Sequence, residues 1–143
     1  MILCLFFLMS SMSNVHPWYD AKAIQDAATY TFTSFKARSV DVSNNLANKP
    51  QMYIGETGWP TFSSNATAKT NGASEASESN LQIFINNFVC TANIQGVKYF
   101  FSEFTDIPWR ERLYPGQGEA GFWGLFNRNK RLKALTLPDC VHD

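Results

Sequence analysis

The chain has 143 residues, enough for one domain with a core of its own. Its 12 basic and 12 acidic residues cancel, so no excess of positive charge marks it as a binder of nucleic acid or of an anionic membrane surface. Cys4, Cys90 and Cys140 form no CxxC pair and no Cys/His spacing of the zinc type, so a metal centre and a redox motif are both disfavoured.

The first residues, Met1 to Met9, are apolar but too few to span a bilayer, which takes about 20. Three readings compete: an atypical signal peptide, a barrel strand, and a truncated or mispredicted gene start. The first lacks a leading Lys or Arg and a small-residue cleavage site, and the last is slightly favoured. Residues 1–12 are therefore set apart from a body at 13–143. Ser13 to Tyr19 reads as a short strand end broken by Pro17, with His16 and Trp18 directed into whatever site the strand faces. A hydrogen-bonded structural role is the plainer reading of His16. Asp20 to Arg38 predicts a helix capped by Asp20, with an apolar stripe of Ile24, Ala27, Ala28, Phe32 and Phe35. Asp41 to Pro50 is polar and Asn-rich, hence a loop.

Gln51 to Glu56 is the second strand. Met52-Tyr53-Ile54 leads into Gly55 and a single carboxylate, Glu56, after which Gly58 permits a positive φ and Pro60 ends the strand. Phe62 to Ser79 is rich in Ser, Asn, Thr, Ala and Gly and reads as a loop too polar to pack. It contains the glycosylation sequon Asn65-Ala66-Thr67, which matters only in the secretory pathway. Ser74 or Ser77 caps the next helix, whose stripe is Leu81, Phe84, Ile85 and Phe88, with Cys90 at its end and Gly96 breaking the pattern. Pairing of Cys90 with Cys140 would staple the C-terminus to this helix, a point the sequence leaves open. Val97 to Phe104 is the third strand, delivering Glu103 and Asp106, then Pro108, Trp109 and Arg110. A Gly/Pro-containing loop follows at 113–121. Phe122 to Phe126 closes onto the fold, with Trp123 either core or sugar platform, and Arg128 to Leu137 predicts a last helical turn or two. Strand, helix, strand, helix, strand, with strands apolar on both faces, is the pattern of an α/β protein with a parallel sheet.

The ends of the three strands would converge on one rim if the strands are neighbours. Carboxylates beside tryptophans suit a carbohydrate: indole faces stack on sugar rings, and carboxylates bind hydroxyls or attack the anomeric carbon. Asn14-Val15-His16-Pro17-Trp18, Gly55-Glu56-Thr57-Gly58-Trp59-Pro60, Asp106-Ile107-Pro108-Trp109-Arg110, Phe122-Trp123-Gly124-Leu125-Phe126 and Leu137-Pro138-Asp139-Cys140 carry a resemblance. In this order and spacing the chain resembles the C-terminal part of glycoside hydrolase family 17, most closely its fungal and oomycete-type secreted or wall-bound β-1,3-glucanases. The resemblance covers roughly residues 13–140. It implies part of a TIM (β/α)8 barrel, about strands 6 to 8 with their helices, and retaining cleavage of β-1,3-glucan without a cofactor. It implies Glu56 as nucleophile at the end of the seventh strand, His16 on the sixth and Glu103 or Asp106 on the eighth. Trp18, Trp59 and Trp109 are the further candidate substrate contacts, and location outside the cell or in its wall follows from the same likeness. The family places a further acid and a Lys after the eighth strand. Ile107 and Arg110 stand nearest to those places here, which leaves open whether Glu103 or Asp106 faces the sugar.

The family's acid/base Glu comes from the fourth strand, and no such strand is recognisable here. A whole barrel takes about 250 residues. A three-stranded piece is expected to expose sheet edges and apolar faces and to associate or dissolve poorly when made alone. Without the acid it is expected to be inactive or nearly so. Two alternatives stand beside the enzyme: a non-catalytic or vestigial glucan-binding protein using Trp18, Trp59 and Trp123, and a barrel glycosidase of β-1,4-glucan or mannan, against which the Gly-Trp-Pro after Glu56 argues.

Overall fold

The structure, a computed structural model, describes residues 9–133 and 135–140. The readings offered for Met1 to Met9 therefore fall almost wholly outside the described residues.

Three parallel strands, β1 (Ser10–Asn14), β2 (Gln51–Thr57) and β5 (Tyr99–Phe101), form one sheet in the order β1–β2–β5. A small antiparallel pair, β3 (Thr70–Asn71) and β4 (Ser74–Glu75), lies in the long loop after β2. The division expected at residue 12 falls inside β1. Each crossover contains a helix, α1 (Ile24–Phe35) between β1 and β2 and α3 (Glu78–Ile94) between β2 and β5, as parallel pairing demands. The helices pack against one face of the sheet. Ile54 of β2 and Leu81, Phe84 and Phe88 of α3 are enclosed there. Phe88 stacks on Phe32 of α1 at 5.0 Å and on Phe84 at 5.3 Å, and meets the edge of Tyr99 at 4.9 Å. The opposite face carries Met12 and Phe100, both exposed. Among the described residues β1 and β5 each have one neighbouring strand, so the sheet is open at both sides.

The first helix departs from its sequence-based bounds at both ends. Asp20 is not the cap. Residues 16–22 turn on themselves through Tyr19 N–H to His16 O and Lys22 N–H to Pro17 O, and Ala23 stands at the N-cap. Asp20 instead accepts a hydrogen bond from the Tyr30 hydroxyl at 2.7 Å. The other end does not stop at Arg38. A π-helical turn over Lys36–Val40 passes into α2 (Asp41–Asn44), where a loop was expected. That wider turn brings Ser39 within 2.7 Å of Ser13 on β1, a tertiary contact that overrides local composition. Of the two expected caps, Ser77 is the one used, its hydroxyl accepting from Asn80 N–H, while Ser74 is committed elsewhere. Gly96 ends α3 with φ +65°, and Gly96 N–H and Val97 N–H donate to Asn93 and Ala92 carbonyls in a Schellman arrangement.

Two further expectations are corrected. The loop at 62–79 does pack: Ser74 Oγ donates to Lys22 O, Asn71 Nδ2 donates to Trp18 O, and Ala76 is buried. Two of its polar side chains, Asn71 and Ser74, are spent on the backbone of the 16–22 turn. Arg128 to Leu137 shows no helix among its described residues. Asn127 Oδ1 accepts from Asn129 and Arg131 N–H, a local turn that competes with helix, and Leu132 bridges back to Phe126. Cys90 and Cys140 are joined in a disulfide.

Phe88→Ala would leave a void between α1, α3 and β5. It should lower stability by about 3–5 kcal/mol, read by urea unfolding. A loss below about 1 kcal/mol would show that this aromatic column is not the core's main support.

Candidate active site

Glu56 owes its direction to an extra residue. Ser13 pairs with Ile54 but Asn14 pairs with Glu56, so Gly55 has no partner on β1 and forms a bulge. The same irregularity appears towards β5, where Ile54 pairs with Tyr99 and Thr57 with Phe101. In unbroken alternation Glu56 would share the helix-covered face with Ile54. The bulge reverses the phase: Ile54 and Thr57 are fully buried, while the Glu56 side chain is half exposed, at 50%. Glycine relieves crowding here, since a Cβ at residue 55 would stand 2.8 Å from Asn14 Oδ1 and 3.1 Å from Met12 Cβ. Gly58 serves likewise. It was expected to supply a positive φ, and it does not. A Cβ there would collide with the Ser102 carbonyl oxygen, so the residue allows β2 to approach the end of β5.

Beside Glu56 the 16–22 turn sets His16, whose Nε2 lies 3.3 Å from Glu56 Oε2. A carboxylate only accepts, so Nε2 carries the proton. Burial lowers the His16 pKa below its usual 6.5, and the hydrogen bond and charge of Glu56 pull it partly back. The imidazole therefore stands neutral near pH 7. Tyr19 and Trp123 stack at 5.5 Å with 27° between their planes, and His16 meets the Trp123 ring edge-on at 5.2 Å. Burial and the charge of Glu119 push the Tyr19 phenol up to about 12. These groups bound a recess of about 440 Å³ lined by His16, Tyr19, Glu56, Ser102, Arg110, Tyr114, Gln117, Ala120 and Trp123.

The other sequence-level candidates fall elsewhere. Trp18 and Trp59, expected as sugar platforms, are 2% and 0% exposed and pack edge to face at 5.6 Å. Trp59 Nε1 donates to Glu75 O, so its polar edge is also occupied. They are core, and the aromatic wall of the recess is Tyr19 with Trp123. Trp109, on the 3₁₀ turn Pro108–Arg112, is exposed and outside the recess lining. Glu103 pairs with Arg110, which is the member of that pair that lines the recess. Asp106 turns away from it. Its Oδ1 accepts from Lys133 Nζ at 2.7 Å and from Gly124 N–H at 3.1 Å, with both side chains of the ion pair nearly enclosed. Lys133 Nζ also donates to Thr61 Oγ1. This clamp holds the 122–126 segment, whose backbone pairs with residues 103–106, and so fixes Trp123.

Sequence reasoning missed Tyr19, Gln117 and Glu119. The Glu119 carboxyl is buried in the loop after the 3₁₀ turn, 4% exposed. Desolvation raises its pKa, and a hydrogen bond from the Trp18 side chain offsets part of that rise. Glu119 lines an adjoining recess of about 220 Å³ with Asn71, and Tyr19 and Gln117 border both recesses. No local pattern marks a carboxylate whose partner lies a hundred residues earlier.

A model of the BtgE/BtgC glycoside hydrolase domain matches residues 10–124. The chain is 34% identical over 137 residues to the btgC protein of Aspergillus niger, covering 90% of this chain and 20% of that one. It is 31% identical over 138 residues to the glucan endo-1,3-beta-glucosidase btgC of Emericella nidulans. The chain thus spans about a fifth of the length of these curated relatives. Among solved structures it is similar to a glycoside hydrolase family 17 β-1,3-glucanosyltransferase from Rhizomucor miehei, with TM-score 0.70 and 23% identity, over 87% of this chain and 41% of that one. An active-site mutant of the Rhizomucor miehei β-1,3-glucanosyltransferase, solved with laminaritriose, gives 0.71 at 21% identity, covering 88% of this chain and 42% of that one. At these identities the structures speak for the fold: the sheet and its helices correspond to two-fifths of a larger enzyme domain.

Two predictions follow from the charges. The His16 ring should titrate below 6.5 by NMR, and lower still in Glu56→Gln, where the groups that raise it are weakened. The unfolded chain takes this proton at about 6.5 and the native chain resists it. His16 therefore contributes stability in full above that pH, lost as pH falls through the lowered native value. An unchanged midpoint in Glu56→Gln would contradict the contact. Lys133→Met should destabilise by about 3–5 kcal/mol in urea because Asp106 is left buried without its cation. Full stability in that variant would show that the ion pair is not needed.

Proposed function

The chain belongs to the BtgE/BtgC glycoside hydrolase family, and on that footing we propose that it is the nucleophile-bearing part of a barrel acting on β-1,3-glucan with retention. The observation that carries this reading is Glu56, half exposed at the carboxyl end of a parallel strand, in a recess walled by Tyr19 and Trp123. The substrate is supported by the names of the relatives, a glucan endo-1,3-beta-glucosidase and a β-1,3-glucanosyltransferase. In this assignment β1, β2 and β5 are the barrel's sixth, seventh and eighth strands.

The chemistry runs through Glu56. One carboxylate oxygen attacks the anomeric carbon and the glycosidic C–O bond breaks, leaving a glycosyl ester. Neutral His16, donating to Glu56 Oε2, holds the carboxylate in place without the charge that would blunt it as a nucleophile. A sugar face rests against the Tyr19–Trp123 wall, while Arg110 and Gln117 offer donors to hydroxyls. Water resolves the ester in hydrolysis, and a second sugar hydroxyl does so in transfer.

The departing oxygen needs a proton from a second carboxyl, which in retaining enzymes stands about 5–5.5 Å from the first. Among the described residues no other carboxylate lines the recess with Glu56. In this reading the acid is not supplied by the described residues, and the 143 residues alone bind glucan but forgo a factor of about 10²–10⁴ in rate. The same observation favours glucan binding without turnover as the second reading. The disulfide and the exposed sequon support a place outside the cell or in its wall.

Purified chain, folded by circular dichroism, should be retarded by laminarin in affinity electrophoresis, and Trp123→Ala should weaken that binding about tenfold. It should release no reducing sugar from laminarin, like its Glu56→Gln variant. Release that depends on Glu56 would refute the need for an outside acid. Folded chain indifferent to laminarin would refute the glucan site itself.

A further inference from the structure

The sequon plays no part in the chemistry above, and its surroundings make it more than a sequence pattern. We propose that Asn65 is an N-glycosylation site, modified when the chain passes through a secretory compartment. Asn65-Ala66-Thr67 is the single sequence of this type in the chain. Asn65 and Thr67 are both exposed, at the head of the 3₁₀ turn Ala66–Ala68, so the side chain is open to a bulky substituent. Thr67 donates to Asn65 Oδ1 from its hydroxyl at 2.8 Å and from its backbone N–H at 3.0 Å. Both bonds fall on the carbonyl oxygen, and they set the hydroxyl beside the amide that reacts.

The backbone beneath the amide is fixed, with Ser63 Oγ donating to Asn65 O and Ser64 N–H donating to Gly118 O. The folded loop therefore displays this side chain in one place. The Cys90–Cys140 disulfide is an independent sign of an oxidising compartment, where such glycans are added. In the transfer, Asn65 Nδ2 bonds to the anomeric carbon of a lipid-linked oligosaccharyl diphosphate. The C–O bond to the diphosphate breaks, the diphosphate leaves with the electron pair, and one amide proton is lost. The fold gives the glycan a definite position. Asn65 borders a recess of about 180 Å³ shared with Tyr114 and Gln117, which also line the Glu56 recess. The oligosaccharide stands at the mouth of the cleft.

The test uses the full 143-residue chain behind a cleavable leader in a yeast secretory host, with lysate and medium both analysed. Leader cleavage certifies import, and the lysate reports chains that never leave the endoplasmic reticulum. The expected result is one step of added mass, removed by peptide N-glycosidase with conversion of Asn65 to Asp in the tryptic peptide. Asn65→Gln and Thr67→Ala should abolish that step, and Thr67→Ser should keep it. Imported chain unmodified at Asn65 in both fractions overturns the proposal, as does a mass step that persists in Asn65→Gln.

Discussion

The phase of the sheet at Gly55 is the constraint on which the site depends. A strand can serve one covered face and one open face only by alternation, and strict alternation from Ile54 would drive a carboxylate into the aromatic layer under the helices. Burying that charge without a partner costs far more than a bulge. One unpaired residue separates the two demands. Ile54 and Thr57 stay inside, and Glu56 emerges between them. The glycine eases the close approach of Asn14 and Met12 on the adjacent strand, so the bulge is tied to the pairing of β1 with β2.

Behind that carboxylate the aromatic residues form a continuous path through the molecule. Phe32, Phe88 and Phe84 stack between the helices, Phe84 reaches Trp59, Trp59 meets Trp18, and Trp18 hydrogen bonds to Glu119 in the rim loop. The tryptophans that flank the site in sequence thus support it from below. Their contribution is positional: they hold the turn that carries His16 and Tyr19 against the loop that carries Gln117. On the far side the Asp106–Lys133 pair performs the same task for Trp123, through a charge contact that spans 27 residues.

The α/β class, the alternation of three parallel strands with helices, the stripe of α3 and the place of Glu56 were legible in the sequence, because each rests on local periodicity or on a single turn. The strand expected at 13–19 lies earlier, at Ser10–Asn14, and the one expected at 97–104 shortens to Tyr99–Phe101. Of the two expected caps Ser77 is the one used. Much of what failed had a long-range cause. Trp18 and Trp59 follow strand ends broken by prolines, where alternation no longer tells which face a side chain takes. The end of α1 ran on because Ser39 is drawn to Ser13 across the sheet, whereas the expected last helix gave way locally, to the Asn127 turn, with Lys133 beyond it reaching back to Asp106. Glu119 lay hidden for a related reason. A carboxylate in a Gly-containing loop reads as a solvated surface charge, and only the assembled fold shows that Trp18 covers it.

The disulfide between Cys90 and Cys140 closes a covalent ring, with 50 residues of separation, around β5, the 3₁₀ turn, the rim loop and the 122–126 segment. Every residue that builds the far wall of the cleft lies within this ring. A protease that nicks the exposed tip between Leu113 and Gln117 therefore cuts the chain without detaching either piece. Both fragments stay tethered to α3, and the broken wall can settle back onto its own hydrogen bonds. That arrangement makes a severed loop a reversible injury so long as the sulfurs remain joined.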